Sequence, residues 1–330
     1  MTSLLLQSPT SADPQTALRL SQQAPSFYKS QAAWSLPYPL SLLINNDSQE
    51  KWQAYENILL TCIRTGDDES AYLYLEELTD RFGQANERVT ALRGLYVEAT
   101  AKTDDELRAV MTHYESILKE DPTVFSIRKR RAALLRSMNK IPDAITALTN
   151  LLDTSPTDAE AWSELADIYM TQGLYEQAVF CLEEVLLITP NAWTMHAKLG
   201  EVLYLQAKAG EAGPEQLKGL SETMRRFCRS LELCDDYLRG YYGLKLTTNR
   251  LLDALSSTKK SQQVSSDPAT GDLAPPSIES VTKLNELATA KLAEIVRRSA
   301  SGEKGWDGYS PSELIAAREL LDRDTQKIQR

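Results

Sequence analysis

From Ala159 to Pro190 the apolar residues fall in two helical stripes. Trp162, Leu165, Ala166 and Tyr169 recur at i, i+3, i+4 and i+7, one face of a first helix. Ala178 and Leu182 begin the matching face of a second. Gly173 lies between them, a residue that adopts the left-handed conformation ending a helix at little cost. Thr157-Asp158-Ala159-Glu160 reads as a capping box opening the first helix, and Pro190 closes the second. Ala166 and Ala178 are small, so the two helices can approach closely. The preceding stretch repeats the pattern with Ala132, Leu135, Ala144, Leu148, Leu151 and Pro156. There Asn139 stands in the glycine position, as Asn can, and Pro142 falls in a first turn where it is tolerated.

Pro122, Pro156 and Pro190 are 34 residues apart, each after an amphipathic helix. Helix pairs at that period are the signature of a tetratricopeptide array. Trp162, Leu165, Ala166, Tyr169, Gly173, Tyr175, Ala178, Leu182 and Pro190 follow its consensus in order and spacing. The predicted fold is all-α: a tetratricopeptide-repeat right-handed superhelix (an α-solenoid) with C-terminal capping helices. Upstream, Tyr55, Ile58, Leu59, Gly66, Ala71, Leu75 and Leu78 form another unit ending near Gly83. Arg88 to Pro122 is a degenerate unit whose inter-helix loop, around Lys102 to Asp105, reads about one turn too long. Downstream, Leu199, Gly200 and Leu203 open a further helix, followed by an insertion of about eleven residues around 209–214 relative to the repeat period. Phe227, Ser230 and Leu233, then Tyr241, Leu244 and Leu251, continue the array.

The ends read differently. Residues 1–48 carry Pro9, Pro14, Pro25, Pro37 and Pro39 among Ser, Gln and Thr, a density that speaks against helix and predicts a flexible arm. Within it Tyr28 to Ile44 is less polar and suited to docking. The array is expected over 49–253, a polar disordered linker over 254–277, and a capping helical pair over 278–330.

Composition narrows the function. Asp plus Glu is 46 against 36 Lys plus Arg, a net charge of −10, which disfavours nucleic acid because phosphate binding needs basic residues. Gly and Pro number only 14 each, in keeping with helices rather than a turn-rich β protein. No apolar run is long enough to span a bilayer, and no secretory signal is evident, so a cytosolic setting with reduced thiols is expected. Cys62, Cys181, Cys228 and Cys234 form no CxxC pair and read as small buried hydrophobes. His113 and His196 lie in different repeats without partner ligands at metal spacing, so both read as structural. No Ser-His-Asp or Cys-His set and no phosphate loop is present. The chain is therefore expected to be no enzyme and to hold no cofactor or metal.

Binding remains. Arg128-Lys129-Arg130-Arg131, continued by Arg136 and Lys140, is the sharpest local charge feature. The positions that face the inside of such a superhelix are Ser126, Lys129, Ala133, Arg136 and Ser137 in one unit. They are Glu160, Ser163, Asp167, Met170 and Thr171 in the next, and Thr194, Ala197, Glu201, Tyr204 and Leu205 in the third. A groove cationic at one end, acidic in the middle and apolar beyond would suit an extended peptide. Lys129, Arg136, Glu160, Asp167, Met170, Glu201 and Tyr204 are the candidate partner-binding residues. The carboxylate clamp of chaperone-binding repeats is incomplete: Lys129 fits, but Ala133, Glu164 and Thr194 do not, and Lys198 replaces an arginine. A cytosolic co-chaperone adaptor is thus the weaker alternative.

Three runs go beyond the generic repeat: Tyr114-Glu-Ser-Ile-Leu-Lys-Glu-Asp-Pro-Thr123, Glu160-Ala-Trp-Ser-Glu-Leu-Ala-Asp-Ile-Tyr169 and Tyr175-Glu-Gln-Ala-Val-Phe-Cys-Leu-Glu-Glu184. With their order and flanks, roughly residues 50–253 resemble subunit 2 of the endoplasmic reticulum membrane protein complex. The resemblance implies a non-catalytic, peripheral scaffold on the cytoplasmic face of the endoplasmic reticulum. It would bind cytosolic segments of the membrane-spanning subunits and support insertion of transmembrane proteins. The N-terminal arm, the insertion and the C-terminal helices depart from that family, so its contacts do not carry over to them.

Overall fold

A computed structural model describes residues 6, 14–33, 48–211, 213–257, 274–306 and 308–328. Among these there are fourteen helices and no strand. In chain order they are α1 (Pro14–Ala33), α2 (Gln49–Thr65), α3 (Asp68–Phe82), α4 (Glu87–Thr100), α5 (Asp104–Glu120), α6 (Phe125–Ser137) and α7 (Ile141–Thr154). There follow α8 (Ala159–Thr171), α9 (Tyr175–Ile188), α10 (Trp193–Ala209), α11 (Pro214–Leu233), α12 (Leu238–Ser257), α13 (Ile278–Ala300) and α14 (Pro311–Ile328). The chain divides into two compact units, Met1–Leu151 and Leu152–Arg330. This is the α-solenoid architecture that the period predicts.

The hairpin turns are built alike. At Gly66, Asn139 and Gly173 φ is positive, 76°, 59° and 74°. After each, the next N–H donates to the carbonyl five residues back: Asp67 to Cys62, Lys140 to Leu135 and Leu174 to Tyr169, all at 2.9 Å. This pairing satisfies carbonyls that a helix end would otherwise leave bare. Asn139 does a glycine's work because its short polar side chain tolerates the left-handed region.

A second regularity was not visible as a motif. Trp162 Nε1 donates to the Pro156 carbonyl at 2.8 Å, and Tyr241 Oη donates to the Asp235 carbonyl at 2.8 Å. His196 Nε2 lies 3.0 Å from the Pro190 carbonyl, which can only accept, so Nε2 carries the proton. In each case the bond spans six residues and ties a helix to the turn before it. His196 is buried at that task, and its Nδ1 has no hydrogen-bond partner among the described residues.

Several expectations need correction. The helix N-cap is Asp158, not Thr157: its carboxylate accepts from the Ala161 N–H at 3.0 Å, where negative charge also meets the positive end of the helix dipole. The degenerate unit has no overlong loop. Its extra turn lies in the helices: α4 and α5 have 14 and 17 residues, α6 and α7 have 13 and 14. The insertion is likewise absorbed into helix, since α10 and α11 run to 17 and 20 residues. Extending an amphipathic helix keeps backbone groups bonded and adds buried residues, here Leu217, Leu220 and Met224.

The proline-rich arm is also partly helical. In α1, Pro14 starts the helix and Pro25 sits inside it. Ala17, Ser21 and Ala24 form a buried stripe of small residues against α2 and α3. Tyr74 Oη donates to the Ala24 carbonyl at 2.9 Å, and Tyr28 Oη to Glu77 at 2.9 Å. Edge-on contacts of Tyr74 with Tyr28 and Tyr55 complete the join. Packing outweighs the one intrahelical bond that Pro25 forfeits. The remainder of Tyr28 to Ile44 beyond residue 33 lies outside the described residues. At the other end α12 runs to Ser257, and 258–273, most of the expected linker, also lie outside them. The two helices expected over 278–330 are α13 and α14.

Candidate functional site

The second unit contains a cavity of about 650 Å³. One wall is the α10 stripe Thr194, Ala197, Glu201, Tyr204 and Leu205, the residues that repeat geometry predicts for the inner face. The opposite wall is Tyr237, just before α12, with Arg239, Tyr242 and Leu246 on that helix. Glu313 and Ala316 of α14 close one side. Phe227 of α11 forms the floor. It fits because α10 and α12 carry glycines beside it: a Cβ on Gly200 would stand 3.1 Å from the Phe227 ring, and one on Gly243 would overlap it.

Two ion pairs frame this cavity. Lys198 Nζ lies 2.5 Å from Asp167 Oδ1, and Arg239 Nε lies 2.5 Å from Glu313 Oε1. The Glu313 carboxylate holds the Arg239 guanidinium above its ordinary pKa, and burial raises that of the Tyr237 hydroxyl. Glu201 is exposed and makes no hydrogen bond or ion pair with a described residue.

The candidate partner-binding residues are therefore not equivalent. Glu201 and Tyr204 line the cavity. Asp167 is spent on Lys198, which further dismantles any carboxylate clamp. Met170 is half-buried at the end of α8. Glu160, on the same helix, and Lys129 and Arg136 on α6 are each already engaged within the fold. Three arginines of the basic run are engaged within the first unit. Arg128 donates to the Asn150 carbonyl at 2.7 Å, Arg130 pairs with Glu98, and Arg131 pairs with Glu115 at 3.5 Å. A signal for this existed: Arg88–Glu56 and Arg130–Glu98 each join residues 32 apart, close to one repeat. The cavity residues of α12 were also readable, since Leu238, Tyr242 and Leu246 are four apart and form a stripe beside the Tyr241 and Leu244 face. Nothing in the local pattern announced Glu313 and Ala316.

The remaining chemistry is sparse. Burial pushes the Cys62 and Cys181 thiols up to about 12 and Cys228 to about 11, so they stay protonated and unreactive near neutrality. Among the described residues no group of three or more His, Cys, Asp or Glu could hold a metal ion. No described helix is long and apolar enough to cross a membrane.

A family model described as the EMC2 TPR-like repeat domain matches residues 73–211. The TPR repeat protein oca3 of Schizosaccharomyces pombe is 35% identical over 242 residues, covering 73% of this chain and 82% of its own. The ER membrane protein complex subunit 2 of Xenopus tropicalis is 32% identical over 197 residues, covering 60% of this chain and 62% of its own. The chain belongs to the family of ER membrane protein complex subunit 2. A Saccharomyces cerevisiae relative of that name is 24% identical, covering 59% of this chain and 68% of its own. Among solved structures, the C-terminal part of a TPR repeat-containing protein from Cytophaga hutchinsonii is 13% identical with a TM-score of 0.48. It covers 90% of this chain and 100% of its own, a likeness too distant to carry an argument. The subunit 2 family model spans α8, α9 and all of α10, so it includes one wall of the cavity and not the other.

Proposed function

We propose that this chain is a non-catalytic scaffold subunit of an ER membrane protein complex. It sits peripherally on the cytoplasmic face of the endoplasmic reticulum, and its cavity in the second unit grips a cytosolic segment of a membrane-spanning subunit. In this way it supports the insertion of transmembrane proteins. The observation that carries the reading is the α10 stripe: five inner-face positions of one repeat all open onto one cavity, in a chain of this family. Docking an extended or helical segment in such a groove needs shape and apolar anchors rather than a catalytic set. The Leu205, Tyr242 and Leu246 side chains supply them. Of the candidate residues, Glu201 and Tyr204 are the contacts this reading uses; Met170, Glu160 and Asp167 are outlying positions of the second unit, and Lys129 and Arg136 belong to the first.

Affinity purification of the tagged protein from a detergent extract tests this. Membrane-spanning subunits should co-purify with the native chain and be lost with Leu205→Glu, whose melting curve should stay cooperative. Full retention of those subunits by a folded Leu205→Glu variant would move the docking surface elsewhere. Recovery of chaperones in their place would favour an adaptor.

A further inference from the structure

The cavity has an unbalanced charge. Lys198 is neutralised by Asp167 and Arg239 by Glu313, each at 2.5 Å. Glu201 lines the same cavity and acts through its charge on Arg239 and Tyr237, but makes no hydrogen bond or ion pair with a described residue. One net negative charge is left facing the cavity. Around it stand aromatic side chains, namely Tyr204, Tyr237, Tyr242 and Phe227. None of the three tyrosine hydroxyls hydrogen-bonds a described residue, so each phenol oxygen is available as an acceptor. Aromatic rings attract cations through their quadrupole, most strongly where water is partly excluded. A carboxylate among such rings completes a site for a positively charged side chain carried on an apolar segment.

We infer that this cavity receives a Lys or Arg side chain of the docked partner segment, with Glu201 as its counter-ion and Tyr204, Tyr237 and Tyr242 as its aromatic and hydrogen-bonding surround. The inference rests on the docking role proposed above and adds the chemistry of the guest. The two agree, because cytosolic flanks of membrane-spanning segments carry an excess of Lys and Arg. An acidic guest is opposed by Glu201 and meets an Arg239 already occupied by Glu313.

A short fluorescein-labelled peptide with one Arg between Leu and Phe residues tests this on the full chain. Its counterparts carry citrulline or Glu in place of the Arg. The Arg peptide should bind roughly tenfold more tightly than the citrulline peptide, and the Glu peptide most weakly. Glu201→Gln should erase the advantage of Arg over citrulline, and Glu201→Lys should reverse it in favour of Glu. Glu201 is exposed, so both variants should melt as the native chain does. Equal binding of the Arg and citrulline peptides overturns the inference. So does an advantage that survives Glu201→Gln, or no binding by any of the peptides. The detergent-extract experiment separates this from the docking role. Loss of membrane subunits with Leu205→Glu but not with Glu201→Lys keeps the docking surface and rejects a cationic guest.

Discussion

The hairpins α4–α5 and α8–α9 have three-residue loops of different conformation, extended at Ala101 and left-handed at Gly173, and opposite interiors. In α8–α9 the join is apolar. Ala166 and Ala178 are buried where the helices touch, Leu165, Ile168 and Leu182 fill the space, and Trp162 stacks edge-on against Phe180. In α4–α5 the consensus residues are missing and a polar cluster replaces them. Tyr114, fully buried, donates to Glu98, and Arg130 from α6 pairs with the same carboxylate. Gly94 makes this possible, since a Cβ there would overlap the Tyr114 hydroxyl. A repeat's backbone geometry can thus be held by directional bonds as well as by complementary shape. The two solutions should fail differently.

The largest effect is expected from Glu98→Ala. It leaves the Tyr114 hydroxyl and the Arg130 guanidinium without their shared acceptor, and removing one partner of a buried pair costs about 3–5 kcal/mol. Arg130 retains some exposure, which places the expectation at the lower end. Urea unfolding should show the loss, and Glu98→Gln should recover part of it. An unchanged midpoint for Glu98→Ala would mean that the cluster is ornamental. In the apolar hairpin, Ala178→Leu should overpack a fully buried contact and cost about 1–3 kcal/mol. Trp162→Phe keeps an aromatic ring but a smaller one, and removes the bond to the Pro156 carbonyl, worth about 1 kcal/mol, together with part of the contact on Phe180. His196→Phe should cost a similar amount if the six-residue tie is one device shared by Trp162, His196 and Tyr241, and unequal losses would separate them.

The smallest effect concerns alkaline pH. Burial raises Cys62 and Cys181 from 9.0 to about 12 and Tyr55 from 10.0 to about 12. The unfolded chain ionises first, so this stability is whole below pH 9 and is lost progressively as pH rises towards 12. Melting temperature should fall by about a degree or two between pH 8 and pH 9.5. Cys62→Ala with Cys181→Ala should flatten that slope.

These contrasts explain what the sequence could reveal. The period, the glycine and Asn139 turns and the α10 stripe are local patterns, and each reappears in the structure. Pairings between repeats are not local. Arg130 reads as part of a basic run until Glu98 is placed beside it, and Asp167 reads as an open acid until Lys198 takes it. Helix α1 was hidden because its buried stripe is Ala and Ser, whose burial earns little on any hydropathy scale, while Pro25 advertised a break. The α14 wall of the cavity depends on a chain reversal after α13 that no periodicity encodes.

Phe227 has a wider consequence. The cavity floor is set by two missing methyl groups, on Gly200 and Gly243, and by nothing costlier. Gly243 itself lines the cavity, and alanine there would force the Phe227 ring to shift, reshaping the floor without changing a charged side chain of the walls. The depth of this socket is therefore adjustable by a single-codon change that alters none of its charged or hydrogen-bonding groups. A lineage could tune or silence the grip while keeping the surface that chooses the partner, and an experimenter could do the same with one substitution.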